Sequence, residues 1–596
     1  MKIAVNLVLD GLATIDQAVL TVKPEHLKQL LHPQFQDVSD EGYTKNVLAK
    51  GLAASPGAAV GRIMLTPEAA EACHARGDKA ILVREDTSPE DVAGMWAANG
   101  VLTSTGGFTS HASVVARGWG KPCVCGCSAL NINMETSTIT LRDESGKVVT
   151  LKEGDLISIN GETGEVLLGS QPLAPPSVKD NRELTILMAW VDARRKLKVL
   201  ANADTPKDAE EARRNGAQGI GLLRTEHMVI TTVSPLALCF LLLPLTTLPL
   251  PSPHLTSHHT PKPQFFEDDR ISVVRRMILG KGDRRTQALK ELLEFQRNDF
   301  AGILEAMDGL PVTVRLLDPP LHEFLPRINP DEKVALSATD SVVDDAFAAS
   351  MGMTREEVLR EISRMGEVNP MLGLRGCRLG ITIPELTAMQ VQALLEAAII
   401  NKAKGLSPKV EIMVPLIGSS SEFKSQKAII EATAERVFAD KGERVAYTVG
   451  TMIEVPRAAL TAEEIALSGC SFFSYGTNDL TQMTYGFSRD DVGSFLPTYI
   501  KQGILESDPF EIIDQAGVGK LIDDSAKKGK EIASKVGTRN FKVGVCGEHG
   551  GDPTSVKFFH RIGMGYVSCS PFRVPLARLA AAHANIEEDA SKDCNI

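Results

Sequence analysis

Apolar positions along this chain change their spacing several times, and each change marks a new kind of element. Near the N-terminus Ile15, Val19 and Val22 stand at helical spacing, followed by His26, Leu27, Leu30 and Leu31, so residues 1–50 read as a helical connector. From 51 to 172 the pattern shortens to brief apolar runs at 59–64, 80–83, 100–103 and 156–159, with helical stretches after Pro89 and after His111. Strands and helices in that mixture predict a compact α/β unit. Residues 173–190 follow as a linker opened by the proline-rich stretch Gln171 to Pro176, stiff enough to support a hinged arm. Beyond it, apolar runs alternate with helical segments, and candidate strands fall at 197–203, 219–224, 311–317, 370–375, 410–417, 447–454, 472–477 and 542–547. Eight β/α units in 191–590 predict a (β/α)8 barrel.

Most of these runs end in a charged, amide or thiol group: Arg224, Arg315, Arg375, Glu454, Asn478, Asp479 and Cys546. Any one of them alone is better explained as a strand-end ion pair or a solvated charge. In a parallel barrel, however, the C-terminal strand ends converge on one mouth, so residues far apart in sequence become one site. A second candidate lies in 106–118, where His111 stands between the Gly106-Gly107 turn and an apparent helix start. Glycines let backbone approach an anion closely, and Thr109, Ser110 and the amides opening a helix near Ala112 can donate to phosphate oxygens. That setting suits a phosphohistidine; a histidine satisfied at a helix cap is the plainer alternative.

Composition narrows the class. A chain of 596 residues, 43% hydrophobic, can bury at least two cores and reads as a soluble globular enzyme. Its formal charge of −11 argues against a general nucleic-acid surface, so an anionic substrate needs a local basic site. Ten cysteines without a secretory leader read as reduced thiols of an intracellular protein, with no targeting segment in view. Cys123, Cys125 and Cys127 alternate as on one face of a strand and have no second ligand pair at zinc spacing, so they read as buried structural residues. The apolar run 235–250 is short and broken by Pro244 and Pro249, which excludes a membrane span there.

The segment TGGFTSHASVVARGWGKPCV (105–124) closely resembles the phosphohistidine signature of the pyruvate, phosphate dikinase family, one of the phosphoenolpyruvate-utilising enzymes. The likeness continues in family order through LTVKPEHLKQLLHPQF, GLAASPGAAVG, GIGLLRTEHM, VRLLDPPLHEFLP, NPMLGLRGCRLG, EIMVPLIG, GTMIEVPRAAL, YGTNDLTQMTYGFSRDD and VCGEHGGDP. It implies a swivelling β/β/α phosphohistidine domain over 51–172, followed by a barrel that binds phosphoenolpyruvate and pyruvate. By that resemblance His111 carries the phosphoryl group, Arg224 and Arg315 bind substrate with Arg375 as a third arginine, and Glu454 and Asp479 hold magnesium (Mg2+). Those side-chain types suit the tasks: planar guanidinium forks for phosphate, hard carboxylate oxygens for magnesium. Gly476, Thr477 and Asn478 would add close backbone approach and hydrogen bonds. Cys546 would protonate the enolate, with His549 as a helper. The resemblance also implies a homodimer through the barrel, a swinging arm, and Thr109 as a target of a regulatory kinase and phosphatase.

Two departures qualify the likeness. The resembled dikinases carry an N-terminal ATP-grasp region, and this chain begins close to the connector, so the half-reaction between phosphoenolpyruvate and His111 is the expected activity. Residues 229–264 are rich in Leu, Pro, Ser and Thr, contain no acidic residue, and interrupt an otherwise continuous TEHM-FFEDDRI. Their composition, bounded by a valine and a glutamine, reads as a translated intron forming a poorly ordered loop; a genuine lid or membrane-contact insertion is the alternative. Phosphoenolpyruvate synthase, a sugar-phosphotransferase enzyme I, and an inactive product that only binds are the competing functional readings.

Overall fold

In the strand Ala58–Met64 every side chain but Arg62 is buried, the signature of a strand covered on both faces. It lies within an eight-stranded sheet whose spatial order is Val47–Lys50, Glu165–Leu168, Leu156–Asn160, Ala58–Met64, Ala80–Arg84, Gly100–Thr103, Cys123–Cys125 and Leu52–Ser55. The four strands from Ala58–Met64 to Cys123–Cys125 are parallel, and their neighbours on either side run antiparallel. One face packs on a three-stranded antiparallel sheet (Asn131–Asn133, Thr138–Arg142, Val148–Lys152) through Ile63, Ile81, Val83, Leu102, Val124, Ile139, Leu141 and Leu151. The other face packs on helices through Met64, Leu82, Val101, Cys123 and Cys125 against Ala70, Met95, Ala112 and Ala116. Cys123 and Cys125 thus share one face of their strand, as their spacing predicted, whereas Cys127 lies beyond the strand end and packs into the core on the other face. Each fully buried aliphatic side chain here contributes about 1.5–3 kcal/mol.

The computed structural model describes residues 1–24, 26–27, 33–36, 41–87, 91–107, 110–134, 136–142, 148–174, 181–226, 267–325, 343, 345–367, 369–489, 491–492, 495–538 and 540–593. The insert 229–264, Thr109 and residues 175–180 of the linker lie outside them. Contacts divide the chain into two units, one of Met1–Val199, Thr484–Gln515 and Glu548–Ile596, the other of Leu200–Met483 and Ala516–Gly547. In the first unit the helical reading of the N-terminus holds for Lys2–Leu9 and for Ile15–Thr21, which starts in a Thr14–Gln17 capping box. These helices bury Val5 and Val19 against Leu187 and Val191 of the helix Arg182–Arg194 and Leu579 of Val574–Asp593. The helical expectation fails at Val47–Lys50, where an apolar tetrapeptide joins the sheet beside Glu165–Leu168.

The remaining strands close a parallel barrel in the order Lys198–Asn202, Ile220–Arg224, Pro311–Arg315, Lys409–Val414, Tyr447–Ile453, Phe472–Tyr475, Lys542–Val545 and Tyr566–Cys569. The α/β class and the eightfold barrel follow as the pattern predicted. One strand was misidentified. The run 370–375 forms a short 3-10 turn, Pro370–Leu372, and then Arg375 caps the helix Gly376–Thr382. Pro370 lacks the amide a central strand needs, and Gly376 takes φ +57, a turn conformation. The eighth strand is instead Tyr566–Cys569, four buried residues too short to stand out from the helices flanking it. No single helix among the described residues is long and apolar enough to cross a membrane.

Candidate functional site

Arg224 and Arg315 end neighbouring barrel strands and are register partners, so the pleat sets two guanidiniums side by side at the C-terminal edge. Two like charges at such a spacing need counter-ions. Asp204, in the loop after Lys198–Asn202, accepts the Arg224 backbone amide at 2.8 Å and its Nη1 at 3.3 Å. Arg315 pairs through Nη2 with Glu226 and through Nη1 with Asp318 at 2.9 Å. Asp318 in turn holds Arg375, accepting its Nε at 3.3 Å as well as its Nη2, and that same Nη2 reaches Asp479 Oδ2 at 2.9 Å. The Arg375 side chain therefore enters from the helix N-cap and joins the strand-end set, although its backbone is not on a strand.

Burial opposes charge on Arg315, and the carboxylates of Asp318, Glu226, Glu454 and Asp479 outweigh it and raise its pKa. Arg375 behaves alike: burial lowers it, and Asp318, Asp479 and Glu454 more than compensate. For Asp318 burial favours the neutral form, yet Arg315 and Arg375 hold it below the usual carboxylate range. Glu454 follows the strand Tyr447–Ile453 and is only 2% exposed. Burial, then Asp318 and Asp479, push it up to about 8 against the pull of Arg375 and Arg315. Its Oε1 accepts the Leu416 amide at 2.6 Å. Leu416 holds φ +57, a strained conformation for a leucine that aims this N–H at the carboxylate.

Gly476 lies beside that carboxylate: a Cβ here would stand 2.6 Å from Glu454 Oε2. Thr477, Asn478 and Asp479 form the first turn of the helix Thr477–Tyr485, and Thr477 and Asp479 are buried. Cys546 follows the strand Lys542–Val545 and closes an apolar layer with Leu222, Met413, Met452 and Phe472. Its thiol points to the Tyr475 carbonyl at 3.6 Å, and burial pushes it up to about 11, only partly offset by Ser474. At neutral pH it is a thiol, able to give a proton. His549 is fully buried with Nε2 on the Pro509 carbonyl at 2.9 Å, and burial lowers its pKa. A structural bond thus occupies that ring nitrogen.

The fit to a divalent cation can be judged from charge. Three guanidiniums, Arg224, Arg315 and Arg375, face five carboxylates, Asp204, Glu226, Asp318, Glu454 and Asp479. Carboxyl groups are in excess, and Glu454, which has no formal ion pair and is pushed up to about 8, is the one whose charged form a cation there would favour. Among the described residues no group of three or more His, Cys, Asp or Glu side chains makes a ready metal cage. Magnesium needs none, since one or two carboxylates plus substrate and water suffice. Nε of Arg315 is buried with no hydrogen-bond partner among the described residues.

Asp204, Glu226 and Asp318 were not anticipated. The available signal was local: an aspartate three residues after Arg315 and a glutamate two after Arg224, both just beyond strand ends. In the other unit, the helix His111–Trp119 begins one residue before the expected start, with Ser110 as N-cap.

The family model for the PEP-utilising enzyme, PEP-binding domain, matches residues 178–586, and that for the PEP-utilising enzyme, mobile domain, matches residues 77–164. The chain is 52% identical over 583 residues to pyruvate, phosphate dikinase 1, chloroplastic, of Arabidopsis thaliana, covering 98% of this chain and 54% of that protein. It is 51% identical over 583 residues to pyruvate, phosphate dikinase 2 of Zea mays, covering 98% and 59% respectively. The chain spans about half the length of the curated relatives it matches.

Proposed function

Because this chain belongs to the phosphoenolpyruvate-utilising enzymes, we propose that it moves a phosphoryl group between phosphoenolpyruvate and His111, the pyruvate half-reaction of a pyruvate, phosphate dikinase. The observation that carries this reading is the convergence of Arg224, Arg315, Arg375, Glu454 and Asp479, with a protonated Cys546, around the strand ends of one barrel. Phosphoenolpyruvate brings a phosphate and a carboxylate, and the reaction leaves an enolate, so the site has three negative groups to hold.

Arg224 and Arg315 bind phosphate oxygens, Arg315 with its open Nε, and Arg375 adds a third fork. Gly476 leaves room beside Glu454, and Thr477 and Asn478 contribute polar contacts to the substrate. Glu454 and Asp479 would hold magnesium, which when bound supplies Lewis-acid charge stabilisation for phosphate and enolate oxygens. A neutral His111 nitrogen attacks phosphorus, the P–O bond to the enol oxygen breaks, and the electron pair stays on that oxygen as enolate. Cys546 then gives its proton to the methylene carbon, producing pyruvate. Exclusion of water by the apolar layer under Cys546 protects the enolate from stray protonation.

In this reading 1–50 is a connector, 51–172 the mobile phosphohistidine domain, 173–190 its linker and 191–590 the substrate barrel. The family resemblance supports a homodimer paired through the barrel, residence in cytoplasm or plastid stroma, and regulation by phosphorylation of Thr109, whose added charge would repel an incoming phosphoryl group. The test is the intact mass of the full chain after incubation with magnesium and phosphoenolpyruvate, with His111→Asn as control and released pyruvate assayed in parallel. An acid-labile phosphoryl adduct absent from the control is the expected result. A folded chain that binds phosphoenolpyruvate but gains no adduct and releases no pyruvate would overturn the proposal.

A further inference from the structure

The strand Cys123–Cys125 runs beneath the helix that opens with His111, and both of its cysteines are fully buried on the helix side of the sheet. Cys125 Sγ accepts the Ser113 hydroxyl at 3.1 Å and lies 3.8 Å from that of Ser110 and 3.4 Å from Cys123 Sγ. The two hydroxyls are 3.0 Å apart, and each also reaches the Gly107 carbonyl, Ser110 at 2.9 Å and Ser113 at 2.6 Å. Cys123 Sγ closes the far end on the Ala112 carbonyl at 3.8 Å. One polar cluster therefore ties the Gly107 turn and the first helical turn to a rigid strand.

The proton count explains the arrangement. Each serine has one hydroxyl proton, and two acceptors, the Gly107 carbonyl and the Cys125 sulfur, lie within reach of the pair. Both are satisfied when one hydroxyl turns to each, with the Cys123 thiol as a further donor to the sulfur. An N-cap serine ordinarily uses its oxygen to accept a first-turn amide, and Ser110 makes no such bond. The helix thus gives up a stabilising local contact for an attachment to the sheet. Ser110 and Ser113 stand one residue before and two residues after His111, so this attachment sets the backbone that carries the nucleophile.

We infer that Cys125 is a positioning residue for phosphoryl transfer, its sulfur anchoring the serine pair that fixes the turn bearing His111. This rests on the proposed function. Hydrogen bonds from Cys123 first, then from Ser113, Thr103 and Ser110, prevail over burial and lower Cys125 to about 6. A thiolate under a helix N-terminus is a stronger acceptor for those hydroxyls than a thiol.

Cys125→Ser and Cys125→Ala are nearly equal in size and differ in whether an acceptor remains. In the full chain with magnesium and phosphoenolpyruvate, Cys125→Ser should form phosphohistidine within about 3-fold of the parent rate. Cys125→Ala and Ser113→Ala should each be at least about 10-fold slower. Calorimetric affinity for phosphoenolpyruvate should be unchanged in all three, and amide exchange over 110–113 should accelerate only in the alanine variants. Parent-like transfer by Cys125→Ala, or equal slowing by Ser and Ala, overturns the inference. If Cys125→Ala does not fold, Ser113→Ala decides alone, and parent-like transfer by it has the same consequence. A parent chain that never phosphorylates His111 overturns the functional reading and this inference with it, and so separates the two failures.

Discussion

Gly476→Ala should disable the barrel site through Glu454, and the size of the effect follows from three distances. The added methyl would stand 2.6 Å from Glu454 Oε2, 2.8 Å from Met452 Sδ and 3.0 Å from Glu454 Cβ. The thioether can yield by rotation. The carboxylate cannot do so freely, because Oε1 holds the Leu416 amide at 2.6 Å on its other side. Reaching an ordinary contact of 3.4 Å requires a withdrawal of about 0.8 Å. Leaving the Leu416 N–H buried and unpaired costs about 1–3 kcal/mol, and an off-rotamer glutamate adds about 0.5–1.5 kcal/mol, so roughly 2–4 kcal/mol of stability should be lost. On the proposed function, in which Glu454 would hold magnesium, its displacement by nearly 1 Å should also slow the reaction about 100-fold. Thermal or denaturant unfolding and rapid-quench measurement of phosphohistidine against magnesium concentration would read both effects. Gly366→Ala is the control, since its added methyl would find nothing nearer than 3.5 Å and should change stability by no more than about 0.5 kcal/mol. A Gly476→Ala chain that unfolds like the parent and transfers phosphate at the parent rate would refute the reasoning.

Asp318→Asn should cost about 3–5 kcal/mol, because it removes the carboxylate shared by buried Arg315 and Arg375. Asp318 is depressed in the folded state, so its stabilisation is present above the ordinary carboxylate range and is lost as pH falls through its lower folded value; the acid limb of the stability profile should flatten in the variant, and an unchanged limb would contradict the pairing. Cys546→Ala should lower pyruvate release about 10²–10⁴-fold while phosphoenolpyruvate affinity, measured by calorimetry, stays at the parent value; equal loss of both would assign the residue to binding instead. Alkylation of Cys546 by iodoacetamide, followed by peptide mass spectrometry, should be very slow at pH 7 and rise about tenfold per pH unit toward 11, since its thiol is raised to about that value. Fast labelling at pH 7 would show a thiolate unsuited to acid catalysis.

Much of this architecture was legible because parallel barrel strands are short apolar runs ending in polar residues, and Arg224, Arg315, Glu454 and Cys546 stand at or just beyond such ends. Arg375 was recognised through its motif while its backbone was misread, since MLGLR looks apolar enough for a strand and the turn geometry of Gly376 is invisible in composition. Asp318 escaped notice because an acidic residue after a strand is ordinarily solvated; only folding shows that two guanidiniums close on it. Leu416 carries no signal at all, for nothing in a leucine announces a positive φ, and its function is performed by a backbone N–H. Ser110 was read as a donor toward phosphate, and its hydroxyl lies against Gly107 and Ser113, partners the sequence does not announce. A sulfur fifteen residues away on a strand, Cys125, also lies 3.8 Å from that hydroxyl.

Asp318 makes the barrel mouth its own first tenant. With its carboxylate lodged between Arg315 and Arg375, an anion bound there as proposed would not fill an empty charge well but take part in a partner exchange, its affinity being the difference between two occupants. A small monoanion offers those arginines nothing the aspartate does not already supply, so chloride or acetate should compete poorly. A molecule with two separate anionic groups can recruit Arg224 and the open Nε of Arg315 as well, and so exceed the threshold. On the proposed function, preference for a doubly anionic substrate would then be set by a counter-ion belonging to the chain itself.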